Sequence, residues 1–375
     1  MLSNESISDR YVTHFILLGF QYSSLIKTLL AIIFSIAYVI TILENAVIIG
    51  IVKWDPKLHS PMYFFLSKLA WLETLYVSIT APKMLSDLST GNNIISVSMC
   101  LMQLYFFLSM GCSECFLLAA MAYDRYLAIC KPLLYHSIMT SQVCWNLTGV
   151  SLFLGFLSCS FSIGLIAQLN FCGSRIINHY LCDISPVIHL SCSDISTVEL
   201  VDFITALSVL ISSLVLIIIS YVYIISTIRK IPSGRGWKKT FSTCASHLTV
   251  VILFFGTTIF MYARPQAIDS NDFNKFLSAV YSLIIPMVNP MIYSLRNTEM
   301  KRLQQLQEQL NLSPTGARGD NKVDFHTLHA SVDEGTAKSH TQLHNKKLHW
   351  ARRGNVPYSS TVVNSFHLVQ GPEPL

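Results

Sequence analysis

Charge is what this chain has least of. Only 13% of its 375 residues are Asp, Glu, Lys or Arg, while 52% are apolar. Soluble domains carry roughly twice that charge, about 25%, so an ordinary water-soluble globule is excluded. Catalytic constellations are missing as well. The apolar segments hold neither a Ser/His/acid set nor an HExxH-type pair, which argues against nucleophilic or metal-dependent catalysis and against an enzyme. Residues 1–11 are polar, with no basic stretch leading into a short apolar core, so no cleavable signal peptide is expected. The internal repeats typical of many transporters are not visible. A net charge of +5 is modest and needs no nucleic-acid partner.

Long apolar runs are what the chain does have. A bilayer-spanning helix needs about 20 predominantly apolar residues. Seven stretches meet that length, near Leu25–Val52, Pro61–Pro82, Met99–Ala120, Val143–Ile166, Leu200–Ile228, Phe241–Met261 and Phe276–Leu295. The second is weakened by Lys68 and Glu73, and the third continues helically past Arg125. These runs predict an all-α membrane protein, a bundle of seven transmembrane helices.

Basic residues in short loops orient such a bundle. One set of loops holds Lys53, Lys57, Arg125, Lys131, Arg229, Lys230, Arg235, Lys238, Lys239, Arg296, Lys301 and Arg302. The other holds about half as many: Arg10, Lys27, Lys83, Arg175, Arg264 and Lys275. The richer set belongs in the cytoplasm, which places the N-terminus outside, the C-terminus inside, and makes span one an uncleaved signal anchor. Asn4-Glu5-Ser6 is then a usable glycosylation acceptor. Asn146-Leu147-Thr148 and Asn311-Leu312-Ser313 fall on the wrong side.

The chain therefore divides into an extracellular N-terminus (1–24), a seven-span domain (25–296) and two cytoplasmic segments. Residues 297–310 place Met300, Leu303, Leu306 and Leu310 at helical spacing among charges, an amphipathic juxtamembrane helix. Residues 311–375 lose apolar periodicity and read as a disordered tail. The His326/His329 and His340/His344 pairs of that tail lack acidic or cysteine partners, so no metal site is expected there.

Of ten cysteines, Cys100 lies at the outer end of span three, and Cys172, Cys182 and Cys192 lie in the long outer loop 170–197. Four cysteines in an oxidising compartment point to two bridges, with three possible connectivities. Cys112, Cys115, Cys130, Cys144, Cys159 and Cys244 read as free packing residues.

Polar groups inside the spans carry the rest. Asp124-Arg125-Tyr126 puts a permanent guanidinium at the inner end of span three beside a carboxylate that offsets its burial. Such a pair can act as a two-state latch. Asn289-Pro290 in span seven removes a helix hydrogen bond and adds a polar side chain at the resulting kink. Glu73 and Glu114 are mid-membrane carboxylates. An intramembrane acid points to function, although a protonated carboxyl that only ties helices together is the alternative. Lys68, near the inner end of span two, is expected to snorkel.

Taken in order, several segments closely resemble those of olfactory receptors, a branch of the rhodopsin-like G-protein-coupled receptors, here of the tetrapod type. They are Phe15–Phe20, Leu58–Ser67, Met121–Leu133, Ser220-Tyr221, Lys239–Leu248 and Pro286–Asn297, and they span roughly residues 12–305. The resemblance implies a small apolar odorant as ligand, a stimulatory olfactory-type G protein as partner and cyclic AMP as messenger. It implies that Cys100 bonds Cys182 and that Cys172 bonds Cys192. It assigns the activation switch to Asp124, Arg125, Tyr126, Tyr221, Lys239, His247, Asn289, Pro290 and Tyr293, with Tyr221 and Tyr293 meeting near Arg125 on activation. It likens Glu73, Glu114, Asn45 and Asn289 to a sodium pocket, although the family more often has Asp where Glu73 stands. It lines the ligand pocket with Phe107, Leu108, Gly111, Cys112, Thr205, Ala206, Val209, Phe255, Thr258, Ile259, Tyr262, Ala279 and Ser282. No cofactor is implied beyond a possible allosteric sodium ion.

Other membrane functions fit less well. An amine receptor would need an acid where Phe107 stands, and a retinal protein a lysine in Val280–Leu295, which has none. A transporter or channel would line one path with several polar groups, and Glu73 and Glu114 alone are few.

Overall fold

The computed structural model describes residues 12–172, 174–230, 235–262 and 271–296; at 57, 235–243, 261–262, 271–274 and 294–296 the backbone alone is described. Asn4, the amphipathic stretch 297–310 and the tail 311–375 lie outside the described residues.

The chain enters through a short strand, β1 (His14–Leu17), then forms α1 (Ser24–Trp54) and α2 (Pro61–Thr90). Strand β2 (Ile94–Ser96) leads into α3 (Val97–Cys130), followed by short α4 (Pro132–Ile138) and α5 (Ser141–Ile166). The loop beyond carries β3 (Ile176–Ile177) and α6 (Ile184–Ile188) before α7 (Ser196–Ile228) and α8 (Arg235–Tyr262). The last span is composite: α9 (Asn271–Ala279), a π-helical turn (Val280–Ile284) and α10 (Ile285–Arg296).

Sequence chemistry sets these boundaries. Pro61 opens α2 and Pro132 opens α4, where a missing N–H costs nothing. Ser96 and Thr140 cap α3 and α5 by accepting from the N–H groups of Met99 and Val143. α2 runs through Pro82, well past the expected end of span two, and stops at Gly91, whose φ of 69° closes the helix in the left-handed conformation. The π turn has a cause in Pro286. A proline cannot donate to the carbonyl four residues back and crowds it, and just before it Ile285 donates instead to Val280, five residues back.

Five described segments are long and apolar enough to cross a membrane: α1, α3, α5, α7 and Lys275–Tyr293 of the last span; α8 contributes the shorter apolar stretch Cys244–Phe260. α2, with Lys68, Glu73, Lys83 and Asp87, falls short on apolarity alone, and it packs between α1 and α3 as the second span. Rows of large side chains face outward, such as Leu25, Leu29, Ile32 and Ile36 on α1 and Phe153 and Phe161 on α5. Surfaces of this kind are untenable in water and ordinary in lipid.

α3 is the axis of the bundle. Of its apolar window 67% is buried, against 11% for α1, and it packs on α2, α5, α7 and α8. It meets α5 at close range at Gly155. A Cβ built there would lie 2.6 Å from the Ser113 nitrogen and 2.8 Å from the Ser109 carbonyl oxygen. Small residues allow helix backbones to approach this closely in a membrane.

At the end of the bundle away from Arg125 a lid with its own apolar core is built on two disulfides. Cys100 is bonded to Cys182 and Cys172 to Cys192, with Cα–Cα distances of 5.5 and 5.9 Å. This is the pairing implied by the resemblance. β1 lies between β2, to which it is antiparallel (Phe15 opposite Ile95), and β3, to which it is parallel (Leu17 opposite Ile177). Phe15 and Leu17 are fully buried on its inner face. Phe20 stacks on Tyr180 at 5.4 Å, and the Tyr180 hydroxyl reaches into the bundle to Ser278 and Ser282, 3.1 Å from each. Buried His179 accepts at Nδ1 from the Leu181 N–H, 3.2 Å away. Burial is the main cause that holds its pKa below the ordinary histidine value, with the Lys275 charge adding to it against the pull of Asp183. The imidazole is therefore kept neutral, as its acceptor role requires.

The Gly155 contact gives a sharp steric test. Gly155→Val forces backbone apart on α3, at a cost of about 1–3 kcal/mol for overpacking. Purified variant receptor should melt several degrees below wild type; an unchanged melting temperature would show that α3 and α5 do not touch there.

Candidate functional site

A cavity of about 70 Å³ lies beneath the lid, between α2, α3, α7, α8 and the π turn. Its lining is Tyr76, Phe107, Leu108, Gly111, Cys112, Cys115, Asp183, Ala206, Val209, Leu210, Thr258 and Tyr281. Three aromatics form one wall: Tyr76 stacks on Phe107 at 4.8 Å, and Tyr281 stands edge-on to both, at 5.8 and 6.4 Å. Gly111 makes room for Tyr281, since a Cβ there would lie 3.1 Å from the tyrosine hydroxyl. Thr258 gives its hydroxyl proton to the Phe254 carbonyl, 2.8 Å away, which leaves its oxygen lone pairs free to accept from a ligand.

Seven of the expected lining residues come together here: Phe107, Leu108, Gly111, Cys112, Ala206, Val209 and Thr258. Among the other six, the five with described side chains do not line this cavity. Ile259 is 43% exposed on the outer face of α8, one residue round the helix from Thr258, and does not line this cavity. Ser282 is held by Tyr180, and Ala279 packs with Phe20 and Tyr180 under the lid. Phe255 is buried against the α3–α7–α8 core, Thr205 is partly buried on α7, and the Tyr262 side chain lies outside the described atoms. Sequence reasoning missed Tyr76, Cys115, Asp183, Leu210 and Tyr281. Asp183 had a signal: it follows Cys182, whose bridge to the top of α3 draws it over the cavity. Tyr281 had a weaker one in Pro286, which causes the π turn on which Tyr281 sits.

Below the cavity lies a polar layer. Asn289 donates to Glu73 at 2.7 Å, and Glu73, Asn45 and Asn289 are all at most 1% exposed. The oxygens Asn45 Oδ1, Asn289 Oδ1 and Glu114 Oε1 are buried without a hydrogen-bond partner among the described residues. These four side chains come from α1, α2, α3 and α10 and offer oxygen alone, the donor type that hard cations accept. No cluster of three or more His, Cys, Asp or Glu residues exists among the described residues.

At the far end of α3 the Asp124–Arg125 ion pair is formed. Arg125 Nη2 lies 2.9 Å from Asp124 Oδ2, and Tyr135 of α4 donates to the other Asp124 oxygen at 2.8 Å. Burial, and then the Asp124 charge, raise the Tyr135 pKa well above the usual phenol range, so it remains a donor. Tyr221 of α7 contacts His247 of α8, hydroxyl to Nδ1 at 2.8 Å, and its hydroxyl proton has a carbonyl acceptor in Cys244, 3.2 Å away. The Tyr293 hydroxyl is buried without a partner among the described residues. In this arrangement Tyr221 is tied to α8, and its hydroxyl does not meet that of Tyr293. Tyr126 packs on Tyr223 at 5.6 Å, Pro290 lies inside α10, and the Lys239 side chain is outside the described atoms.

Comparison with known proteins is consistent along the chain. A family profile described as olfactory receptor matches residues 34–308. Human olfactory receptor 6B1 is 49% identical over 290 residues, covering 77% of this chain and 93% of that protein. Mouse olfactory receptor 6B9 is 49% identical, covering 77% and 92%, and rat olfactory receptor 226 is 45% identical, covering 83% and 96%. The crystal structure of squid rhodopsin shares the fold at a TM-score of 0.63, with 16% identity over 81% of this chain and 86% of that one. The transporter or channel alternative finds no support in the fold or in these relatives.

Because Gly111 leaves the space that Tyr281 and a ligand would share, Gly111→Leu should weaken a ligand response about tenfold or more at matched surface level, as 1–3 kcal/mol of overpacking implies. A dose–response curve superimposable on wild type would remove this cavity from consideration. Sequence profile, relatives and seven-helix fold agree: the chain belongs to the olfactory receptor family, multi-pass receptors that sense odorants through G proteins and are not enzymes.

Proposed function

We propose that this receptor sits in the plasma membrane with its N-terminus outside, binds a small and mostly apolar volatile ligand in the cavity beneath the lid, and activates a stimulatory olfactory-type G protein, raising cyclic AMP. Basic residues concentrated at the Arg125 end support that orientation, and Asn4 is then available for glycosylation on the outer side. Phe107, Leu108, Val209 and Leu210 give the ligand an apolar bed, while Thr258 and Asp183 can orient a single polar group.

The observation that carries the mechanism is that pocket and latch are both closed. At about 70 Å³ the cavity is well below the roughly 300–1,000 Å³ of established ligand pockets. A ligand must therefore wedge the aromatic wall apart, and the wall includes Tyr281, on the π turn. Motion of that turn bears directly on α10, where Asn289 holds Glu73. Opening at the other end requires Arg125 to leave Asp124 and Tyr221 to leave His247, which frees α8 to move and uncovers a docking surface. The ligand drives the change by as much as it prefers the open state.

The same reading makes the oxygen cluster of Asn45, Glu73, Glu114 and Asn289 a holder for sodium in the resting state. Bound there, the cation would supply the positive charge that two neighbouring carboxylates lack. Wild-type receptor should then melt higher in sodium than in potassium buffer, and Glu114→Gln should lose that difference. Equal melting temperatures in both salts for wild type would reject the assignment.

Arg125→Ala tests the latch. In cells expressing the variant at normal surface level, odorant-evoked cyclic AMP should vanish, because the guanidinium acts at the G-protein end and not on the ligand. Wild-type responses from that variant would overturn the mechanism.

A further inference from the structure

Lys68 does something that neither the ligand pocket nor the latch explains. It lies on the lipid-facing side of α2, partly buried, with its ammonium 4.3 Å from the centroid of the Trp145 ring and 5.1 Å from that of Phe64. The two rings themselves meet edge-on at 5.0 Å. Cation–π contact stabilises the ammonium there, but no carboxylate pairs with it among the described residues. A cation in a membrane-spanning helix that has found aromatic faces and no anion is incompletely compensated.

The same side chain borders a hollow of about 280 Å³ between α2, α3 and α5. Trp71, Leu72, Leu117 and Leu152 make its walls apolar, and Thr148 and Ser151 supply hydroxyls. Both of those hydroxyls donate to carbonyls of their own helix, which leaves lone pairs and no spare donor. Trp71 and Trp145 are 48% and 55% exposed, so the hollow opens sideways to lipid and not into the bundle. Lys68 lies seven residues inside the Pro61 end of α2, about 10 Å along the axis, within a lysine's reach of the headgroup level at the Arg125 end of the bundle.

We propose that this hollow is a binding site for an anionic phospholipid of the leaflet at the Arg125 end. Lys68 meets the headgroup charge, and an acyl chain lies along Trp71, Leu117 and Leu152. Charge complementarity selects this occupant. A zwitterionic lipid offers the ammonium a phosphate already balanced by its own cation, and a sterol offers only a hydroxyl. Basic pockets between helices at the membrane interface recognise anionic headgroups on these grounds. The site rests on the fold and on Lys68, and stands independently of the ligand and coupling proposed above.

The test uses full-length receptor in phosphatidylcholine nanodiscs doped with photoreactive phosphatidylserine, photoreactive phosphatidylcholine or photoreactive cholesterol. Crosslinked residues are then mapped by mass spectrometry. Phosphatidylserine should label the α2–α5 hollow about fivefold more than phosphatidylcholine. Lys68→Gln should bring it down to the phosphatidylcholine level, and Lys68→Arg should retain the preference. Competition on wild type by unlabelled phosphatidylserine, and not by unlabelled phosphatidylcholine, reads the same preference if Lys68→Gln fails to fold. Equal labelling by both phospholipids, preferential labelling by cholesterol, or phosphatidylserine labelling that survives Lys68→Gln would each overturn the proposal.

Discussion

Lipid cannot hydrogen-bond, and that one deficiency organises the whole molecule. Every backbone amide in the hydrocarbon region must find its partner within a helix, and most polar side chains must turn inward. Serine and threonine therefore bond to carbonyls of their own helices, as Thr41, Ser113, Thr148 and Ser213 do. The larger polar groups, Glu73, Asn45, Asn289 and Glu114, are gathered at the middle of the bundle. An aqueous protein would hide apolar groups at its centre. Here the centre holds the polar groups that lipid rejects, and these are the groups able to switch between partners.

The helices most affected are α3 and the last span. α3 carries Phe107 and Gly111 at the cavity, Glu114 in the polar layer and the Asp124–Arg125 pair at its far end, so one uninterrupted helix touches all three levels. The last span does the same with softer construction. Tyr281 on the π turn, then Asn289, then Tyr293 descend along a helix interrupted by Pro286 and Pro290. On the proposed mechanism, an uninterrupted helix beside a jointed one would let displacement at the cavity be taken up at the joint and delivered lower down.

How much of this was legible in the residues depended on the kind of signal. Most spans were plain in long apolar runs, because lipid imposes length and composition directly, while α2 was blurred by Lys68 and Glu73. The Asp124–Arg125 pairing was legible because a carboxylate beside a guanidinium offsets the cost of burying both. Seven residues that the family resemblance assigned to the pocket line one cavity, on the inner faces of three helices. Thr258 lines the cavity and Ile259 faces outward because adjacent residues on a helix point about 100° apart, and phase within α8 is set by packing that no motif records. The sheet of the lid was not legible at all. A four-residue strand and its two-residue partner carry too little pattern, and their pairing is decided by disulfides and by a chain segment some 160 residues away.

That separation bears on how the protein is made. β1 lies between two partners, and Leu17 cannot meet Ile177 until the intervening chain has been synthesised. At ribosomal rates of about 5–20 residues per second the delay is on the order of 10–30 s. Through this interval Phe15, which packs edge-on to Phe171 in the finished lid, has no such cover. The N-terminal segment is thus the first part of the bundle's lid to be translated and among the last to be finished, so a nascent chain halted after α3 would present an apolar tip to whatever chaperones attend it.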